Sequence, residues 1–595
     1  PPPPAGGHTS GGRGGPPAPR EVERLETMVG RIRDGAVGFK TSPPAPGFYE
    51  DFVRLATGGA PYPVACLTPV AGELRRSQPS PPDTGILFQF LTNRPSLPSG
   101  ETFPIGEWLT VHYTTDISRP QAIEAWDEND NGVPDLLDRI QWAAERFFNV
   151  AIREFRFQAP VAPDRAPIEI FLLPLPDPIR GVTIPGEVKT DSSGTHSMIL
   201  LDPEKLSRPG NMGSVAHQLA HALQFSYSAL LPAWWQEATA VWLEKEVTND
   251  IHSHSNSVAA RLRSPHISLA TDRVDLMPGG YLWPLFLVES HGNDPALIRA
   301  LWEEAAGPQP GSLLEIFDRI LIGSFGDSFR ESFLKFAIWN TYTGKKDDGF
   351  HYRFGAHLPD PALPPVYDSF PSVARPADTY LEPLGTRLVR LEGRAAKGGL
   401  EFHLYGQEGS HLQVNALIFE PEQPDRPYFL EIPLNEMNRG ELRLPWDALS
   451  QVTIFIQNLD WRNDGKNRIG FTALSDPSYP FTLARIGARP EKGQMVLEWS
   501  TSNEQDLLGW NLYRSSDPTR GFSPINSLLL PGGGDSHDVT NYLFLDDTVR
   551  PGEQVYYYLE GITLAGYGRR SHIIGTRSLP RANTRSPGLL QVPPN

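Results

Sequence analysis

Apolar residues recur at helical spacing in "REVERLETMVGRIR", where Val22, Leu25, Met28, Val29 and Ile32 predict a helix over 20–33. Shorter alternating runs, "EWLTVHYTT", "PIEIFLLP" and "HSMILLD", predict strands, and "PDLLDRIQWAAERFFNVAIREF" predicts an amphipathic helix. Helical spacing then dominates over 213–227, 233–247, 280–291, 295–305 and 328–342. A strand-rich half feeding a helical half predicts an α+β domain over 104–350. The helical signal stops at the Pro-rich "HLPDPALPPVYDSFPSVARPADTY", which sets a linker over 351–375. Beyond it "TRLVRLEG", "LEFHLYG", "LQVNALIFE", "YFLEIPL" and "QVTIFIQNL" are short strands at sandwich spacing, predicting an all-β domain over 376–478. "QMVLEWST", "LGWNLYRSS", "NYLFLDD" and "QVYYYLEGIT" predict a second all-β domain over 479–580. The Pro/Gly-rich 1–20 and the stretch 581–595 read as tails. Residues 21–103 read as a prosegment embracing the main domain, or as a peripheral helix with loops.

Composition narrows the classes. At 595 residues the chain exceeds one core, and 60 Pro with 54 Gly suit many turns and β-rich modules. A net charge of −17 without any Lys/Arg run argues against a nucleic-acid groove. The single cysteine, Cys66, excludes an intrachain disulfide. No apolar run reaches the roughly 18 residues that cross a bilayer, "YLWPLFLV" being far too short.

Two stretches carry chemistry. In "DENDNGVPDLLD" (127–138), oxygen-bearing side chains fall at positions one, three, five, nine and twelve: Asp127, Asn129, Asn131, Asp135 and Asp138. Gly132 stands where the loop must turn, and Val133 would lend its carbonyl. A hard cation such as calcium takes six to eight oxygens from such a loop. The closing Asp, in place of Glu, resembles dockerin and thrombospondin-type loops, whose weak affinity suits an extracellular setting. The alternative is an acidic, capped turn entering a helix.

The second stretch is "GSVAHQLAHALQFSY". Read as a continuous amphipathic helix, it sets His217 and His221 one turn apart on one face, so that both imidazoles reach one metal ion. "LPAWWQEATAVWLEKEV" follows, with Glu237 early in a second helix and Glu244 two turns on. This arrangement resembles the gluzincins, and "WWQEATA" is similar to the W-x-x-E-G-x-A signature of their aminopeptidase branch. The order of "HYTT", "DENDNGVPD", "MILLD", "AHALQF", "GGYLWPLFLVESHG" and "FAIWNTYTG" resembles secreted bacterial metalloproteases of the zincin clan. The resemblance implies zinc held by His217, His221 and Glu237, with Glu244 either orienting an imidazole or lying in solvent. It implies a multidomain chain, an α+β zincin-like metallopeptidase domain followed by two all-β sandwich domains, acting on proteins or peptides outside the cell. The last of these, with "WNLYRS" and its "NYLFLDDTVRPGEQVYYYLEGITLAGYG" end, resembles a fibronectin type III domain, which implies that Trp499, Tyr513 and Tyr557 are core residues.

One residue departs from the pattern. In a working zincin a glutamate follows the first histidine and shuttles the proton of peptide hydrolysis; here Gln218 stands there. An amide neither accepts nor returns that proton. General-base help is worth about 10²–10⁴-fold, so the expectation is a zinc site with weak or absent hydrolysis. The competing expectation is a non-catalytic binding or adhesion protein on the same scaffold. An open cleft with an accessible edge strand near 198–201 would favour the enzyme, and a filled cleft the platform.

Overall fold

A computed structural model describes most of residues 100–576, apart from short stretches of which 161–166, 187–193, 394–398 and 461–466 are the longest, together with Cys66, Thr68, Ala71, Pro95 and Leu97. The helix expected over 20–33, both tails and most of 21–103 lie outside the described residues. The chain divides into two compact units, one of 1–261, 272–329 and 347–359, the other of 262–271, 330–346 and 360–595. Helices and several β-sheets make it an α+β, multidomain protein.

The first unit is built on a five-stranded sheet of β1 (Glu101–Ile105), β2 (Leu109–Tyr113), β3 (Ile168–Leu172), β4 (Gly181–Pro185) and β5 (Ser197–Leu201), in the order β1-β2-β3-β5-β4. β2, β3 and β5 run parallel, and the link from β2 to β3 carries the helix Asp135–Phe147. That helix turns π-helical over Phe148–Glu154 rather than staying α-helical throughout. β4 lies antiparallel on β5 and forms one edge. The strand around Met198 is therefore interior, so 198–201 is not the accessible edge that would favour the enzyme. The pattern hides β4 because "GVTIP" is bracketed by Gly and Pro, residues that weaken a strand reading.

Two helices, Gly213–Tyr227 and Ala233–Thr248, pack on each other beside this sheet. Neither is amphipathic. The first is buried round its whole circumference from Val215 to Phe225, so its polar members His217, Gln218, His221 and Gln224 are interior groups that must find partners inside. The second ends on Asn249 in the left-handed conformation (φ 55°), a common helix stop. Trp235 anchors it, with its ring centroid 5.1 Å from that of Phe317 and 6.4 Å from that of Trp302. Phe317 belongs to the helix Leu313–Phe325, whose start is written in the capping box of Ser312 and Glu315.

In the second unit, one sheet runs Arg439–Pro445, Gly399–Gly406, Asn467–Asp476, Ser372–Ala374, and another runs Gln423–Glu431, Leu412–Glu420, Gln451–Asn458, Thr386–Glu392, Val366–Tyr367. Val414, Ala416 and Ile418 join a large core, while Leu417, on the opposite pleat, packs with Leu388, Phe455 and Ala337. Ala337 lies on the helix Phe329–Trp339. That helix, expected inside the 104–350 domain, thus covers a sheet of the second unit. The remaining strands form an eight-stranded sheet around one 22-residue strand, Gln494–Ser515. Two separate strands were expected there. Register shifts between Glu504 and Gly509 let the chain bend without leaving the sheet. Trp499 and Tyr557 are buried, but Tyr513 is not a core residue: it stacks on Tyr558 and donates its hydroxyl to Glu560.

Candidate metal centre

The two buried helices aim their polar side chains at one point. His217 Nε2 lies 3.2 Å from His221 Nε2 and 3.6 Å from Glu237 Oε1, and His221 Nε2 lies 3.4 Å from Glu237 Oε2. A fourth group, absent from the sequence expectation, joins them: Cys66 Sγ stands 3.5 Å from His221 Nε2. One donor atom from each of the four lies within 4.8 Å of the others, and all four residues are buried. Tetrahedral zinc, with Zn–N of about 2.0–2.1 Å and Zn–S of about 2.3 Å, sets its ligands about 3.3 Å (N to N) and about 3.6 Å (N to S) apart. The observed separations match those edges.

The outer hydrogen bonds fix which imidazole nitrogen faces the centre. His217 Nδ1 meets Glu244 Oε2 at 3.1 Å, and a carboxylate only accepts, so Nδ1 carries the proton. His221 Nδ1 meets Gln224 Oε1 at 2.9 Å. The Gln224 amide is oriented by its nitrogen, which donates to Gln236 O and Thr239 Oγ1 at 2.8 Å each. Both Nε2 atoms of the neutral rings therefore turn lone pairs toward each other, an arrangement that calls for a proton or a cation between them. Glu237 Oε2 is buried with no hydrogen bond, aimed into the same space. Glu244, whose solvent-facing alternative is set aside by its burial, also takes His254 Nε2 at 2.9 Å.

The charges are mutually adjusted. Burial pushes His217 down, but the Glu237 carboxylate and Cys66 sulfur outweigh it and hold the imidazole well above the usual histidine range. Burial, with Cys66 and Glu237 opposing it, leaves His221 raised too. Burial and Glu237 push the Cys66 thiol up, yet the two imidazoles bring it down to about 6. Burial works against ionised Glu237 and Glu244, but facing imidazoles hold both below the carboxylate range. The shifts describe imidazoles on one side and carboxylates and a sulfur on the other stabilising each other's charged forms.

Gln218 lies beside this cluster and is fully engaged. Its Oε1 accepts from Thr183 Oγ1 at 2.8 Å and Thr68 Oγ1 at 3.0 Å, and its Nε2 donates to Cys66 Sγ at 3.2 Å. Thr183 N donates to Thr68 Oγ1 at 2.8 Å. A Cβ on Gly181 would meet Gln218 Cγ at 2.8 Å, so glycine there lets the histidine helix approach β4. Cys66 itself bridges Gly181 in parallel sense on that edge.

The loop at 127–138 is a different matter. Asp127 accepts from the backbone N–H of Asn131 and Gly132, and Asp135 from that of Glu128. Asp138 accepts the side-chain amide nitrogens of Asn129 and Asn131, whose Oδ1 atoms take the N–H groups of Asn131 and Val133. This is the hydrogen bonding of an acidic turn closed on itself; the helix that follows starts after Pro134 without a side-chain cap. Among the described residues, the two convergent metal-type groups both include His217, and the loop belongs to neither.

Cys66, Thr68, Thr183, Gln224 and His254 escaped the sequence reading. A lone interior cysteine was the signal for the first. For His254 it was the cluster "IHSHS" just past the glutamate helix.

No protein-family model matches the chain, and no curated protein does. Among solved structures it is similar to a beta-1,2-glucanase from Parabacteroides distasonis, at 12% identity over 31% of this chain and 28% of that one, with a TM-score of 0.13. It is also similar to a DUF3823 family protein from Parabacteroides merdae, at 9% identity over 32% of this chain and 98% of that one, with the same TM-score of 0.13. Similarity at these scores carries no argument about either unit.

Proposed function

We propose that the first unit is a zincin-type zinc-binding domain, metallopeptidase-like in scaffold, whose hydrolytic chemistry is suspended by Gln218. The observation that carries this is the convergence of His217, His221 and Glu237 at tetrahedral edge lengths, with both imidazole lone pairs turned inward. Zinc bound there would supply Lewis acidity toward a carbonyl and a water of lowered pKa. The chain's own residues do the rest. Glu244 and Gln224 hold the imidazole tautomers, and β4 lies beside the histidine helix with Cys66 bridged to its Gly181. Gln218 occupies the place of the proton carrier and cannot serve as one.

The second reading, a secreted or surface binding protein that keeps the scaffold without the reaction, is favoured by the burial of all four central residues. For the loop at 127–138 we propose a structural calcium ion. To hold it, Asn129 and Asn131 would rotate their amides so that oxygen replaces nitrogen toward the cation. An extracellular setting, where calcium is plentiful, belongs to the same proposal.

The test is elemental analysis of the purified chain together with peptide turnover by the wild type and by a Gln218→Glu/Cys66→Ser double variant. One zinc per chain, with turnover only in the double variant, supports the enzyme lineage. Zinc with no turnover in either supports the binding platform. A chain that takes up no zinc refutes the metal centre.

A further inference from the structure

Resting on the zinc reading above, we propose that Cys66 is the fourth protein ligand, so that the centre is a closed Cys/His₂/Glu site sealed by the chain's own thiolate.

Three observations carry this. The first is position. Cys66 Sγ lies 3.5 Å from His221 Nε2, the separation expected of two ligands on one tetrahedral zinc, and a ligand atom from each of Cys66, His217, His221 and Glu237 lies within 4.8 Å of the others. The second is what surrounds the sulfur. Thr68 N donates to it at 3.4 Å and Gln218 Nε2 at 3.2 Å, while His221 Nε2 is its third polar neighbour. Donors stabilise a thiolate, the form in which cysteine binds metal. The third is the identity of residue 218. Its amide gives an N–H to the sulfur while its oxygen is held by Thr183 and Thr68. A carboxylate held in the same way would turn an unprotonated oxygen at the thiolate, so glutamine is the residue that fits a sulfur-ligated centre. Gln218 acts here as a positioning residue for Cys66.

A catalytic zinc keeps one position free of protein, and structural zinc has four protein ligands. Cys66 fills the free position. Its backbone bridge to Gly181 also occupies the edge of β4, where an extended peptide would otherwise add as a strand. Zinc takes the thiolate form, and a proton held within the cluster, on sulfur or on a ligand imidazole, leaves to solvent as the Zn–S and Zn–N bonds form.

X-ray absorption at the zinc edge of the full-length, zinc-loaded chain tests the assignment. The wild type is expected to show one sulfur at about 2.3 Å beside three nitrogen or oxygen neighbours at about 2.0–2.1 Å. The Cys66→Ser variant is expected to show none. Zinc bound without a sulfur neighbour in the wild type overturns this proposal and leaves the zinc site standing. Failure of the wild type to bind zinc overturns both. The wild-type spectrum decides the matter even if the serine variant does not fold.

Discussion

Glu244 is the residue on which the centre's outer support turns, and Glu244→Gln is the sharpest perturbation of it. The carboxylate is buried and accepts from two imidazoles at once, His217 Nδ1 at 3.1 Å and His254 Nε2 at 2.9 Å. A glutamine in the same place has one oxygen and one NH₂. Both imidazoles address the same oxygen, Oε2, so an amide oxygen set there can still accept from both rings, but the negative charge that anchors them is gone, and the flipped amide would turn hydrogens to both. Loss of such an outer partner typically costs 10–100-fold in metal affinity, or about 1.4–2.7 kcal/mol. The assay is competition for zinc against a chromophoric chelator, with Glu204→Gln as control, since Glu204 is exposed and pairs only with Arg208. Affinity of the Glu244→Gln variant within twofold of wild type would refute the argument that Glu244 orients a ligand.

Three further outcomes follow from the geometry. Glu237 and Glu244 ionise below their unfolded value of 4.5, so their stabilisation is complete above that pH and is lost as pH falls toward the folded values. Urea unfolding of the metal-free chain between about pH 3 and 6 should show this loss, with a shallower slope for Glu244→Gln; parallel slopes would count against it. Gly181→Ala places a methyl 2.8 Å from Gln218 Cγ and 2.9 Å from Leu201 Cδ2. It should destabilise the chain by about 1–3 kcal/mol in denaturant titration, and a neutral result would show that the helix does not need this approach. If the 127–138 loop binds calcium, the ion at a hundredfold over its Kd should add about 2.7 kcal/mol to stability, seen as a higher melting temperature that Asp138→Asn abolishes. A wild type indifferent to millimolar calcium would leave an acidic turn closed by its own hydrogen bonds.

What could be read from the sequence was local. A spacing of four places two imidazoles on one helix face, and "WWQEATA" places a carboxylate on the next helix, because both facts depend only on helical period. The strands of the second unit were visible for the same reason, through their alternation. Cys66 was not, since 155 residues separate it from His221 and only the folded chain joins them. Burial was misjudged where polar residues sit inside: His217, Gln218, His221 and Gln224 make a buried helix look half-exposed, because their partners lie on other elements. The edge position of β4 depends on which strand pairs with which, a choice that the residues of "GVTIP" do not state.

The 22-residue strand Gln494–Ser515 has a consequence of its own. Its first half pairs with Phe481–Glu491 and Thr540–Asp546 and its second half with Tyr556–Thr563, so strands from before and after it in the chain share one spine. The short strand Gly568–Arg570 hangs on Tyr556–Thr563 at the periphery, but tension applied at either end of the long strand is borne by both sets of its ladder bonds in turn. Amide exchange at Leu497 and at Leu512 should then proceed through one common opening, the behaviour of a tie-rod rather than of two modules in tandem.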